Sequence, residues 1–380
     1  MIEGALGGLK VLDFSTLLPG PMASLFLAEA GADVIKVERP DHGEEMRIYD
    51  PKWGRDSVNF AMLNRGKKSI ALNLKDPKAR DSLNPLIREA DVLIEQFRPG
   101  VMNRLGLGFE TVQDLNPNII YCSISGYGQN GPKAARAGHD MNYIGDAGLL
   151  ALSSGSNENP VVPPALIADI AGGSYPAVFN ILLALIARDA GKGGVHLDIS
   201  MSDNLFPFMY WAMGDGQATG RWPGNADALV TGGSPRYRLY PTADGKLLAA
   251  APIEQKFWAT FTDAISLADD LRQDSINPRA TTKAIAKIIA ARSAQHWAGV
   301  FRNADCCCTI VQTIQEAMQS EHFHARGLFD RRISSEDGEE IIALPVPVVD
   351  VLRSGVKLAQ APQLGANNAE LLTGNQCDDF

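Results

Sequence analysis

Two residues stand out for what their types could do. His139 lies in "AGHDMNYIGD", residues 137 to 146, in a chain of 380 residues with six histidines; Asp169 interrupts the apolar run "PPALIADIAGG". A neutral imidazole near pH 7 can take a proton, and a carboxyl group can return one. For His139 alone three uses compete: metal ligand, proton carrier, or a polar residue that packing tolerates. Zinc takes three or four ligands at recognisable spacing, and no second histidine or cysteine lies within helical reach, so the metal use fails. Composition by itself favours the packed histidine over the proton carrier. Asp169 reads as the N-cap of the helix after it, as a carboxyl group held at a site by a helix N-terminus, or as both.

A second group of residues could bind an anion. Arg39, Arg65, Lys67, Lys68, Lys75, Arg98 and Arg104 gather in the first third of the chain. Several fall where predicted strands end on their carboxyl side, the place where α/β sheets hold ligands, so a phosphate-bearing small molecule fits them. Solvated surface charge is the competing use of each. Gly126, Gly128 and Gly131 give G-x-G-x-x-G after the strand "NIIYCSI", but Pro132 and the polar "KAARAGHD" follow in place of an apolar helix. A dinucleotide needs that helix N-terminus at its pyrophosphate, so a glycine-rich loop beside a site is the better reading.

The elements that must position these residues follow from periodicity. "LKVLDFS" (Leu9 to Ser15) reads as a strand, and "PGPMASLFLAEAGADVIKVERP" adds a helix, a glycine stop and a second strand. The pattern repeats through the strand "KSIALNL", the helix "KARDSLNPLIREA", the strand "DVLIEQF", a helical turn at "ETVQDLN" and the strand "NIIYCSIS". Short apolar strands alternating with helices predict a mainly parallel sheet covered on both faces. From Ala165 the spacing predicts a buried helix of about four turns, followed by the strand "VHLDISM". We read residues 1–200 as a large α/β domain completed by 330–380, a linker over 201–235, a small α+β domain over 236–315 with a hairpin at Asp244 and Gly245, and a return linker over 316–329.

Bulk composition narrows the partners. A formal net charge of −9 argues against nucleic acid and anionic membranes, which call for a basic surface. Five cysteines, three of them consecutive at Cys306, Cys307 and Cys308, lack the spaced pairs of a zinc site or disulfide framework. The N-terminus is neither basic nor followed by an apolar stretch of signal or transmembrane length, so we expect a soluble, cytoplasmic protein.

The motifs "PGPMASLFLAEAGADVIKVERP", "NRGKKSIALNLK", "FRPGVMNRLGLG", "SISGYGQNGP", "AGHDMNY" and "ADIAGG", in this order, resemble those of the family III CoA-transferases (CaiB/BaiF type), which include the α-methylacyl-CoA racemases. The resemblance implies a Rossmann-like large domain, a smaller domain, and an interlocked homodimer with the active site between domains. It implies a coenzyme A thioester as substrate, with no tightly bound cofactor. Arg39 and Leu72, Asn73, Leu74 and Lys75 would meet its adenosine and phosphates. Gln96, Phe97, Arg98 and Arg104 would flank the same ligand, and Gly138, Asp140, Met141, Asn142 and Tyr143 would lie nearest the thioester.

Within that family two chemistries compete for the aspartate at the position of Asp169. In transferases it is a nucleophile that forms an acyl anhydride; in racemases it pairs with the histidine of the "GHD" motif, here His139, 30 residues earlier. Glu254 falls where racemases place a glutamate that orients this histidine. A base on one face of the α-carbon and an acid on the other invert the centre through an enolate, whose oxygen needs donors or a helix end. Asp169 must then be protonated part of the time, so burial has to raise its pKa against a helix N-terminus. The reading is a 2-methylacyl-CoA racemase or epimerase. A CoA-transferase acting through acyl-Asp169 is the alternative, and a catalytically silent acyl-CoA-binding protein a third. The insertion "HGEEMRIYDPKWGRDSVNFAML" leans to the transferase side, "LGANNAELL" replaces the family's more usual acidic-histidine sequence, and Met141, Met201, Met209 and Met213 are candidates to line an acyl pocket.

Overall fold

The computed structural model describes residues 4–372. Its chain begins with β1 (Lys10–Asp13), α1 (Pro19–Glu29) and β2 (Asp33–Glu38), and after a short hairpin continues through α2 (Val58–Asn64) and β3 (Lys68–Ala71). The expected single helix over "KARDSLNPLIREA" is two, α3 (Pro77–Asp81) and α4 (Asn84–Glu89). Pro85 explains the break, since a proline is tolerated only in the first turn of a helix. β4 (Val92–Glu95), α5 (Val101–Arg104), α6 (Phe109–Leu115) and β5 (Ile120–Ser125) follow; then come α7 (Asp140–Asp146), a π-helix (Ala168–Ser174), α8 (Tyr175–Ala187) and β6 (Val195–Ser200).

All six strands pair in parallel in the order β3-β2-β1-β4-β5-β6. This is the doubly wound Rossmann order, and its direction of winding reverses at β1, so the crevice for a ligand opens at the carboxyl ends of β1 and β4. Every residue of β5 is buried, as expected of a parallel strand with helices on both faces. One face packs Leu12, Ile35, Ile70, Leu93 and Tyr121 against Ile87 and Val112; α1 and α2 share a second cluster with Met22, Leu25, Phe26 and Phe60.

α8 departs from expectation. It buries Ala177, Ile181, Ala184 and Leu185 but leaves Phe179 63% and Ile186 68% exposed, with Leu182 and Leu183 beside them. Its apolar residues run round the whole helix while the sheet covers only one side, so periodicity alone overstated its burial.

The chain divides into two compact units, one of residues 1–147, 165–207 and 322–380, the other of 148–164 and 208–321. The second unit contains α9 (Tyr210–Thr219), the antiparallel sheet β9-β8-β7 formed by β7 (Arg238–Pro241), β8 (Leu247–Ala250) and β9 (Cys308–Ile310), and α10 (Gln255–Ala264), α11 (Pro278–Ala290) and α12 (Ala294–Phe301). Its core is aromatic, with Tyr240, Trp258, Phe261, Trp297 and Phe301 around Leu248 and Ile285. Two boundaries differ from the sequence reading. Part of the stretch read as a linker is the helix α9, ended by Gly220 at φ 73°. Residues 148–164, counted with the large domain, group with the second unit, where Asn225 donates to the Gly155 carbonyl.

In the first unit the C-terminal stretch closes the open edge of the parallel sheet. Ala71 N–H donates to Asn368 Oδ1 at 2.8 Å, Asn368 Nδ2 returns a bond to the Ala71 carbonyl at 3.1 Å, and Ser69 N–H donates to Asn367 Oδ1 at 3.1 Å. The unusual "GANNAELL" therefore satisfies backbone groups of an edge strand that would otherwise be open to pairing with another chain.

Candidate functional site

Strand ends organise the polar residues. Arg39 follows β2, Leu72 to Lys75 follow β3, Gln96 to Arg98 follow β4 and the glycine loop follows β5. From β3 to β5 is four strand spacings, about 19 Å along the carboxyl edge of the sheet. Arg39, Asn73, Lys75, Arg98 and Arg104 are exposed there. Leu72 is buried and contributes backbone, its N–H donating to the Glu38 carbonyl. Gln96 is fixed by Gly20, whose N–H donates to Gln96 Oε1 at 2.9 Å; a Cβ at Gly20 would strike Ser15. Phe97 is held by its N–H, which donates to Glu95 Oε2 at 2.8 Å.

Three of the basic residues serve a different purpose. Arg65 is buried and spends its guanidinium on Glu29 and on the carbonyls of Met62 and Leu344. Lys67 is buried among Asp13, Ser24, Asn64 and the Pro21 carbonyl, and Lys68 pairs with Asp33 and Glu370. These residues are structural, and the sequence reading that placed them with the ligand-binding cations is corrected here.

The network around Lys67 was not visible in the sequence. Asp13, at the end of β1 and wholly buried, accepts from Ser15 N–H at 2.9 Å and from Ser24 and Lys67. Lys36 reaches Glu44 at 2.6 Å and the Ser15 carbonyl at 2.8 Å, while Arg47 forks onto Glu38 at 2.7 Å and reaches Asp56 at 2.8 Å. Burial opposes the charge on Asp13, but Lys36, Lys67 and the hydroxyls hold its carboxyl far below the usual range. Burial pushes the Lys67 ammonium down to about 8. Glu44, Arg47 and Asp56 come from the insertion before "NRGKKS", so that insertion closes a buried ion network under the crevice.

At the other end of the edge, the glycine loop makes room for α7. Gly126 lies against the Tyr143 ring, where any Cβ would clash, and Gly128 and Gly131 take φ of 79° and 92°. No helix starts at Gly131, so the glycines serve a turn and a close ring contact. His139, exposed, is the N-cap of α7 in extended conformation, and its N–H donates to Asn142 Oδ1 at 3.0 Å. Asn142 N–H donates to the His139 carbonyl at 2.8 Å, so the first-turn donors of α7 that remain for a ligand are those of Asp140 and Met141. Met141 and Asn142 are exposed, while Tyr143 is buried and donates to the Gly138 carbonyl.

Asp169 is not the N-cap that one reading gave. Ile167 holds that position, and Asp169 sits in the first turn of the π-helix. Such wide turns recur at functional sites. The motif "ADIAGG" has a packing reason: a Cβ on Gly172 would come within 2.4 Å of the Met201 carbonyl, and Gly173 faces Pro19 and Met201. Ser174 Oγ, donating to the Pro19 carbonyl at 2.8 Å, ties the π-helix to α1.

The π-helix also packs on α7, where Asp169 N–H donates to the buried Asp140 Oδ1 at 2.9 Å. Burial, and after it the Asp140 charge, push the Asp169 carboxyl up to about 7. Burial and the charge of Asp169 push the Tyr143 hydroxyl up to about 12, with Arg98 opposing. Tyr143 thus senses both Asp169 and Arg98, and the first unit brings together Gly138, Asp140, Tyr143, Asp169 and Arg98. Glu254 belongs to the second unit, where it is the exposed N-cap of α10. Of the methionines, Met201 and Met209 are buried and Met141 and Met213 exposed.

One residue escaped the sequence reading although a signal was there. Glu95 interrupts the apolar "DVLIEQF", is buried at the end of β4, and burial pushes its carboxyl up to about 7. It lines a cleft of about 250 Å³ with Arg98, Tyr121, Ser123 and His196, in which His196 Nε2 lies 2.9 Å from Ser123 Oγ. Among the described residues, no group of three or more His, Cys, Asp or Glu side chains stands as a metal cluster, and Cys122, Cys306, Cys307 and Cys308 are free thiols.

Topology and strand-end residues define a doubly wound α/β protein whose polar groups collect along the carboxyl edge of its sheet. Comparison with known proteins sharpens this: the chain belongs to CoA-transferase family III, whose model matches residues 6–368. It is 33% identical over 377 residues to the human alpha-methylacyl-CoA racemase, covering 97% of this chain and 92% of that one. It is also 33% identical over 338 residues to the acetyl-CoA:oxalate CoA-transferase of Acetobacter aceti, covering 86% and 85%. A CAIB/BAIF family protein from Brucella suis superposes with a TM-score of 0.80 at 26% identity, over 96% of this chain and 98% of that one. The family acts on CoA thioesters, and both racemases and transferases stand among the relatives.

Proposed function

We propose that the protein is a 2-methylacyl-CoA racemase or epimerase, with His139 and Asp169 as the acid/base pair and Glu254 orienting His139. The observation that carries the reading is the Asp169 carboxyl, pushed up to about 7. Near neutral pH such a group is protonated in a large fraction of molecules, as a residue that must donate a proton to one epimer and accept one from the other requires. A covalent transferase needs the ionised nucleophile.

In the forward direction neutral His139 takes the α-proton, the electron pair moves onto the thioester oxygen as an enolate, and protonated Asp169 delivers its proton to the opposite face of the carbon. The reverse direction exchanges the two roles. The N–H groups of Asp140 and Met141 at the start of α7 are the donors suited to the enolate oxygen. Arg39 and Leu72 to Lys75 meet the adenosine and phosphates of the thioester, Gln96 to Arg98 and Arg104 flank the same ligand, and the chemistry calls for no further cofactor.

The transferase reading draws support from the equal similarity to a CoA-transferase. Incubation of one epimer of a 2-methylacyl-CoA, with and without a free carboxylic acid, separates the two readings. Loss of optical purity without the acid is expected; new thioester formed only in its presence overturns the racemase.

The partner we propose is a second copy of the chain. The exposed face of α8 continues into a groove of about 360 Å³ lined by Phe26, Tyr175, Phe179, Leu182, Val349 and Leu352. An apolar surface of this kind calls for a protein partner. Sedimentation should show a dimer at micromolar concentration that Phe179→Asp combined with Ile186→Asp converts to monomer; a monomeric wild type contradicts the assignment.

A further inference from the structure

We propose that Asp140 is a positioning residue of the reaction, which anchors the main chain of Asp169 and sets its own negative charge beside the Asp169 carboxyl. The proposal rests on the acid/base reading of Asp169 above. Asp140 is 5% exposed, so its charge is poorly screened, and its Oδ1 accepts the Asp169 N–H at 2.9 Å. The carboxyl carbon of an aspartate lies within about 4 Å of its own nitrogen by bond geometry, so the two carboxyl groups are held within about 7 Å of each other. At that range two like charges away from bulk water repel, and the pair lowers its energy by keeping a proton on one member. Asp169 is the member whose carboxyl burial and then the neighbouring charge push up.

The other elements packed on the π-helix bring little competing charge. α1 meets it through Pro19, β6 and the turn after it through Met201, and Asn204 donates its amide to the Gly172 carbonyl. Glu29, the one carboxyl of α1, is committed to Arg65 and Arg353, and α8 begins with Tyr175. Tyr143 on α7 is the remaining titratable group coupled to Asp169, and Arg98 acts on it from β4's loop. Asp140 is the charged group whose field acts on Asp169, and it sits one residue from His139. A single backbone step fixes the base and the group that tunes the acid.

Asp140→Asn tests this because the amide oxygen can still accept the Asp169 N–H while the charge is gone. The readout is the titration of the Asp169 carboxyl, followed by ¹³C NMR of aspartate-labelled protein and assigned with Asp169→Asn. In Asp140→Asn the midpoint is expected to fall by about one pH unit or more, and in Asp140→Glu, which keeps the charge, to stay near that of the wild type. Racemisation should fall about fivefold or more near pH 7 in both directions, since a variant leaves the equilibrium between the epimers unchanged, with KM little changed. An unchanged midpoint in Asp140→Asn overturns the proposal. If Asp140→Asn does not fold, Asp140→Ser serves as the neutral variant with the same expected and contrary results. Because the titration needs no turnover, its result stands apart from the racemase reading, which fails if the wild-type protein does not exchange the α-proton.

Discussion

His139→Ala is expected to slow α-proton exchange by about 10²- to 10⁴-fold, the range over which a positioned acid or base contributes. The loss should appear in kcat, with KM nearly unchanged, because the residue acts on the proton in flight while the CoA moiety is held by the strand-end residues. Both epimers should be affected, since His139 is base for one and acid for the other. His139 is exposed at the N-cap of α7 and its backbone N–H, which the substitution keeps, is secured by Asn142, so the variant should fold normally. Chiral chromatography of the thioester against time gives the rate, and circular dichroism the fold. Near wild-type racemisation by a folded His139→Ala protein would remove the two-base mechanism and leave the covalent Asp169 chemistry.

The largest effect on stability should come from Asp13→Ala. The substitution deprives the buried Lys67 of its carboxylate and leaves two serine hydroxyls without their acceptor. Removing one partner of a buried ion pair typically costs about 3–5 kcal/mol. Because the folded protein holds the Asp13 carboxyl well below its usual value, its contribution is fully present above the unfolded pKa of about 3.9, begins to fall below it, and is lost only as pH drops through the much lower folded-state value. Urea unfolding of wild type and variant should therefore differ most at pH 7, and the difference should narrow by about 1 kcal/mol by pH 3. A difference that is small at pH 7, or that grows on acidification, would contradict the assignment of Asp13 as the charge that holds the network together.

Periodicity revealed the sheet because each parallel strand is a short apolar run separated from the next by a long crossover. It did not reveal the partial exposure of α8, since a helix apolar all round looks the same whether a sheet or another chain covers its outer face. Local spacing could not show that Lys67 turns inward while Arg98 turns outward: both adjoin a predicted strand, and only the fold brings Asp13, 54 residues before Lys67, into contact with it. The pairing of Asp140 with Asp169 is of the same kind. Asp140 drew notice as the neighbour of His139, yet its carboxylate serves a residue 29 positions on. Glu95, a lone carboxyl in an apolar strand, was legible in principle, because a buried glutamate at a strand end is rarely idle.

The most direct measurement is the fate of the α-hydrogen when a single epimer of a 2-methylacyl-CoA is incubated with the protein in deuterium oxide, without any free carboxylic acid, and followed by ¹H NMR. Two-base transfer through an enolate predicts that the α-proton signal disappears as deuterium enters and optical purity falls, with both changes suppressed in His139→Ala. Retention of the α-proton and of optical purity by the wild-type enzyme, with turnover appearing only when a carboxylic acid is added, would contradict it.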